Sequence, residues 1–76
     1  MIILERVDSS RNMSRFYALD LQPSLFGDVL LVRRWGRIGS YGQERHDWFG
    51  SEDGAAQALE ELNAAKQKRG YVPAAI

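Results

Sequence analysis

Apolar residues recur with two periods along this chain, alternation in the first two thirds and helical spacing afterwards. "IILERV", residues 2–7, is a short aliphatic and β-branched run that reads as a first strand. "DSSRNMS" follows, with the Asp, Ser and Asn that favour turns. In "RFYALDLQ" Tyr17, Leu19 and Leu21 fall on one face and Phe16, Ala18 and Asp20 on the other, the pattern of a second strand. "PSLFGD" closes it with Pro and Gly and reads as a loop. Leu25 and Phe26 are apolar for a loop tip. They are expected to tuck under the sheet, because contiguous exposed apolar patches are uncommon. "DVLLVRRWGRI" is the third strand, "GSYG" a turn and "QERHDWFG" the fourth strand. Such short connections predict antiparallel neighbours.

The period then changes. Ser51 is a natural N-cap, with Glu52 and Asp53 in the first turn, where the helix dipole favours acids. Ala55, Ala58, Leu59, Leu62 and Ala65 share one helical face. Lys66, Lys68 and Arg69 fill the last turn, and Gly70 is placed to end the helix at C′. "YVPAAI" reads as a tail docked in part through Tyr71. The predicted fold is α+β: a small antiparallel β-sheet of about four strands with one α-helix packed across one face. One helix covers one face, so the other is solvated, covered by loops or used for binding.

The chain has 76 residues, and the expectation is a single domain over residues 1–76. Hydrophobic residues make up 45%, enough for a compact core and too many for a disordered chain. There are no cysteines, which excludes disulfide staples and cysteine zinc sites. "MIILERVDSS" lacks the basic and long apolar regions of a signal peptide, and the aliphatic run Val29 to Val32 is too short to cross a bilayer. A soluble cytoplasmic protein without membrane partners is expected. Formal net charge is zero, so distribution matters more than the sum. Arg33, Arg34, Arg37 and Arg45 lie in a window whose only acid is Glu44, whereas acids gather at Glu52, Asp53, Glu60 and Glu61.

The candidate chemistry lies in "VRRWGRIGSYGQ", residues 32–43. Strand alternation puts Arg33, Trp35 and Arg37 on one face and Leu30, Val32, Arg34 and Ile38 on the other. The second set is the more apolar and is assigned to the core, with Arg34 reaching out to solvent; Val29 and Leu31 go against that parity. Two guanidinium groups then flank an indole. Arginine offers planar bidentate donors suited to phosphate, and an indole offers a flat surface for a sugar or base. Gly36 would admit a close backbone or ligand. Spacing alone leaves a second reading open, in which Trp35 packs in the sheet and the arginines are merely solvated. Gly39 and Gly42 do not form a dinucleotide fingerprint or a P-loop, and read as turn glycines with positive φ.

"RRWGRIGSYGQ" resembles the signature of the WGR domain, with "NMSRFYALDL" upstream and "HDWF", the helix and "KRGY" downstream extending the similarity over essentially the whole chain. The family includes modules of poly(ADP-ribose) polymerases and short stand-alone bacterial proteins, and the resemblance is to the latter type. It implies an antiparallel sheet with a helix, and contact with DNA near a strand break. It places the sugar-packing role on Trp35 and the backbone contact on Arg37, with Asn12 and Arg15 matching positions before the second strand. No polymerase catalytic domain is present in these residues, so ADP-ribosylation is not implied.

No catalytic residue, metal ligand set or cofactor site is expected. His46 is the one histidine; Glu44 shares its strand face and Asp47 points away, which is short of a metal site and lacks a nucleophile. The expected partner is DNA or another nucleic acid, at an end, nick or junction. The alternative is a protein-interaction module using the Leu25–Phe26 loop or free edge strands. Oligomeric state is open at this level.

Overall fold

The computed structural model describes residues 1–74; the last two residues of the expected tail lie outside the described residues. Five strands form one sheet in the order β4-β3-β2-β1-β5: β1 is Ile2–Asp8, β2 Met13–Pro23, β3 Val29–Arg37, β4 Gln43–Phe49 and β5 Val72–Pro73. Every neighbouring pair is antiparallel. The helix α1, Glu52–Lys68, lies across one face. The architecture is the expected α+β sheet with one helix. The additional strand is β5, which follows the helix and pairs Leu4 with Pro73 and Glu5 with Val72.

β2 is the central strand. It pairs with β1 from Ile2↔Leu19 to Asp8↔Met13, and with β3 from Arg15↔Arg37 to Pro23↔Val29. Between β1 and β2 the chain turns through a short 3₁₀ segment, Ser9–Arg11. The Asp8 carboxylate accepts from the Ser10 hydroxyl at 2.6 Å and from the Ser10 amide at 3.1 Å. These bonds, the hydroxyl first, hold its pKa below the ordinary carboxylate value. Asn12 ends the segment in the left-handed region at φ 52°, a conformation its short polar side chain tolerates.

The core packs Leu4, Tyr17, Leu19 and Leu31 against Ala58, Leu59 and Leu62 of α1, with Ile2, Leu21, Trp35, Phe49 and Tyr71 around them. Leu4, Leu19 and Leu31 are the largest fully buried side chains. Burying each contributes about 2–3 kcal/mol. Register decides which side of β3 joins them. Leu31 stands opposite Leu21 and Trp35 opposite Tyr17, so the Val29–Leu31–Arg33–Trp35–Arg37 side faces the helix. This reverses the assignment made from apolar content. Leu30, Val32 and Arg34 occupy the uncovered side. There Phe16, Ala18 and Leu30 are buried without a helix above them. The Arg34 guanidinium covers them in part, lying 5.0 Å from the Phe16 ring centre and 4.7 Å from that of Tyr41. Its Nη1 donates to the Tyr41 carbonyl at 2.8 Å.

The helix begins as its sequence predicts, with the Ser51 hydroxyl accepting from the Gly54 amide at 3.1 Å. Ala55 is fully buried, where a larger side chain would hold helix and sheet apart. At the other end the expected apolar face breaks down. Ala65 is exposed and Lys66 is the half-buried residue, because the last turn passes over the rings of Tyr17 and Tyr71. The hairpin tip between β2 and β3 also departs from expectation. Leu25 and Phe26 are 99% and 90% exposed. The tip is closed by Ser24 and Asp28 through an amide–carbonyl bond of 2.8 Å, which turns both side chains outward from the sheet.

Candidate functional site

The helix does not reach the end of the sheet where β1 runs into β2 and β3 runs out. That end is an open groove of about 440 Å³, lined by Arg11, Asn12, Arg15, Trp35, Arg37 and Lys66 around Tyr17 and Tyr71. Four of its lining residues are cations and none is acidic. Four of the five residues singled out from sequence, Asn12, Arg15, Trp35 and Arg37, therefore come together here. Arg33 does not.

Register builds the basic wall. Arg6 is paired with Arg15, and Arg15 with Arg37, so three arginines stand in a row across β1, β2 and β3 on the helix-facing side. Like charges directly opposite one another destabilise a sheet. Among the described residues none of these three forms an ion pair, although Arg6 feels the Asp8 carboxylate at longer range. Arg11, at the groove's rim, has Asp8 at 3.8 Å.

The floor is aromatic. Trp35 stacks on Tyr17 with ring centres 5.9 Å apart and planes 16° from parallel. Tyr71 meets Tyr17 edge-on at 6.4 Å. Lys66 Nζ lies 4.4 Å from the Tyr17 ring centre and 5.6 Å from that of Tyr71. Burial against these rings lowers the Lys66 pKa, and the nearby charges of Arg69 and Arg33 lower it further. One side of the Trp35 indole packs on the core and the rest lines the groove.

Arg33 is placed differently. Its Nε lies 3.0 Å from Asp47 Oδ2, off the direction of a good hydrogen bond, with the two side chains only 16% and 25% exposed. It is a paired arginine beneath the helix face, and Asp47 takes a second guanidinium from Arg45 at 3.1 Å. Gly36 also has another role. A Cβ there would lie 2.8 Å from the Cα of Gly42, so the close neighbour is the chain's own turn. Gly42 has φ +81°, and a Cβ on it would overlap the Trp35 carbonyl. The glycine pair lets the β3–β4 turn fold flat against the backbone that carries Trp35.

Sequence reasoning missed Arg11, Lys66 and the full part played by Tyr71. Lys66 reads from sequence only as a cation of the last turn, yet it follows Leu59 and Leu62 at i+7 and i+4 on the helix's inner face, the spacing that could have placed it over the rings. Outside the groove, His46 Nε2 lies 2.7 Å from Glu44 Oε2, and the Tyr41 hydroxyl donates to Glu44 Oε1 at 2.8 Å. The Tyr41 bond first, then His46, holds the Glu44 carboxyl below its ordinary pKa, and the same bond raises that of Tyr41. Among the described residues no group of three or more His, Cys, Asp or Glu is gathered to hold a metal ion, and no helix is long and apolar enough to cross a membrane.

The sequence matches the model of the WGR domain over residues 1–76. It is 49% identical over 72 residues to an uncharacterized protein, y4dW, of Sinorhizobium fredii (strain NBRC 101917 / NGR234). That alignment covers 95% of this chain and 35% of the relative, so the chain spans about a third of the length of the curated protein it matches. No solved structure matches it.

Proposed function

The chain belongs to the WGR domain family, a family of nucleic-acid-binding modules, and we infer that its groove grips the DNA backbone at an end, nick or junction. The observation that carries this reading is the groove's lining: four cations, no carboxylate, and an aromatic floor. A row of unpaired arginines costs stability in the free protein, and phosphate is the ligand that offsets it. Arg15 and Arg37 supply bidentate donors to phosphate oxygens, and Lys66 supplies a point charge. Trp35 offers an edge of indole to a sugar or an unstacked base. Asn12, held in its left-handed turn at the rim, adds a neutral donor. An intact duplex hides its base faces, whereas a strand end or nick presents one beside a phosphate, which matches an aromatic floor within a basic wall.

The inferred role is binding, carried by the cations and aromatic rings of the lining. Sequence preference should be weak, because phosphate and sugar contacts carry no base information. Fluorescence anisotropy with nicked, blunt and single-stranded oligonucleotides tests this. Affinity should fall with salt with a log–log slope of about −3 to −4 for four neutralised phosphates. Unchanged binding by a folded Arg15→Ala/Arg37→Ala variant would contradict it.

The exposed pair Leu25 and Phe26 favours a second reading, a protein-interaction module using the β2–β3 tip. A nuclease-resistant partner lost on Leu25→Ser/Phe26→Ser substitution would support it.

A further inference from the structure

β4 is an edge strand: among the described residues it pairs with β3 alone, and its outer side is unpartnered. It runs seven residues, QERHDWF, with no proline or glycine to interrupt a further ladder. Proteins usually guard such an edge with proline, a bulge or charged side chains. Here the charges alternate in sign, so they repel a foreign strand while matching a second copy of themselves.

Two copies of a strand pairing antiparallel about a two-fold axis must match residues of the same parity, since paired residues share a face. Centring the axis on His46 pairs all seven residues. Arg45 then faces Asp47 of the second copy, twice over, and Glu44 faces Trp48 while Gln43 faces Phe49. Moving the axis to Arg45 sets Arg45 against its own copy. Moving it to Asp47 sets Asp47 against its own. Both shifts place like charges opposite one another and shorten the ladder. Arg45 and Trp48 are available for such contacts, the Arg45 side chain being 64% and Trp48 63% exposed.

We propose that β4 is a self-association edge, joining two copies of this chain antiparallel about His46 into one continuous sheet. Opposite-charge pairs fix the register. Each Asp47 keeps Arg33 of its own chain and takes Arg45 from either copy. The pairing uses none of the residues that line the groove. Because the two-fold axis stands normal to the sheet, both grooves open on the same face. Trp35 sits opposite Gln43, three residues along the strand from the axis and one strand inward. Strand geometry then puts the two Trp35 positions about 25 Å apart. Two grooves facing one way at that spacing would engage a single nucleic acid bivalently.

The absence of native cysteine allows a test of register. His46→Cys should form a disulfide-linked dimer under mild oxidation, since copies of residue 46 face each other at about 4.5–5.5 Å between Cβ atoms. Glu44→Cys copies would lie about 13 Å apart and should cross-link at least about tenfold more slowly. An equimolar mixture of Glu44→Cys and Trp48→Cys should give the mixed disulfide. Arg45→Glu, which removes a like-charge neighbour of Arg33 on β3, should fold and should stay monomeric by sedimentation velocity at pH 8 at concentrations where the wild type should self-associate. Equal cross-linking at 44 and 46, or a wild-type chain that stays monomeric at millimolar concentration, would overturn the proposal.

Discussion

Arg15 stands directly opposite Arg37 across the β2–β3 ladder, with no carboxylate paired to either among the described residues. A fold optimised for stability alone would place an acid at one of these positions. Arg15→Gln should therefore stabilise the free domain, by up to about 1 kcal/mol. It should also weaken DNA binding and make the salt slope shallower by about 1. Denaturant unfolding and a salt titration measure the two effects. A variant that gains stability and keeps the wild-type slope would separate the arginine row from binding.

Substitution can separate the packing role of Trp35 from the binding role proposed for it. Trp35→Ala removes the stack on Tyr17 and part of the core edge, and should cost about 2–3 kcal/mol, less than for a fully buried aromatic. Trp35→Phe keeps a ring over Tyr17 and should cost about 1 kcal/mol while still weakening binding, because the smaller ring presents less surface to the groove. Unfolding curves and anisotropy on both variants check this. Loss of binding by Trp35→Phe in proportion to lost stability alone would assign Trp35 a purely structural role.

Gly42→Ala should destabilise by about 2–4 kcal/mol, since the new Cβ meets the Trp35 carbonyl and the backbone stays in the left-handed region. Gly39 has a similar φ of +96° but open space around it, so Gly39→Ala should cost only about 1–2 kcal/mol. Thermal unfolding of the pair measures the difference. Equal losses would show that strain in φ accounts for both.

The contrast between β2 and β3 shows what the chain reveals on its own. In β2, Tyr17, Leu19 and Leu21 alternate cleanly with Phe16, Ala18 and Asp20, and the side facing the helix is legible. In β3, Val29 to Val32 are all apolar, so either side could join the core. Leu30, Val32 and Ile38 outweigh Val29 and Leu31 by count, yet the sheet is settled by pairing. Tyr17 opposite Trp35 carries the parity of β2 into β3, and that is long-range information. The helix was readable from its cap and spacing, whereas at its last turn apolar character favours Ala65 for the inner face, although Lys66 is the residue in register with Leu59 and Leu62. β5 is two residues long and has no period to detect. Trp35 and Arg37 still line the groove despite the inverted parity because they stand at the end of the sheet that only the helix's last turn approaches. Arg33, one step nearer the middle, is the residue that parity moved out of the site and under the helix face.

Binding through Lys66 should be pH-dependent. Its pKa is lowered in the free domain by burial against Tyr17 and Tyr71, and then by Arg69 and Arg33. Between that lowered value and the ordinary lysine value of about 10.4, the unfolded chain holds more protons, so stability of the free domain rises with pH. A bound phosphate favours the charged form and raises the Lys66 pKa. Affinity gained through Lys66 is therefore complete below the free-state pKa and is lost as pH rises through the bound-state pKa. The arginines stay charged throughout this range. NMR titration of the Lys66 side chain with and without a nicked duplex should show the upward shift, and Lys66→Met should flatten the alkaline fall in affinity. An unchanged Lys66 titration would place the phosphate elsewhere.

The most direct measurement uses the chain's own fluorescence. There are two tryptophans, and Trp48 lies on the opposite face of the sheet, so Trp48→Phe leaves Trp35 as the sole reporter in the groove. Titrating this variant with a nicked duplex at low salt should give a saturable change in Trp35 emission. The change should reverse with added salt and vanish in the Arg15→Ala/Arg37→Ala background. Saturable DNA binding by anisotropy with no change in Trp35 emission, or binding that survives the double substitution, would contradict a nucleic-acid site in this groove.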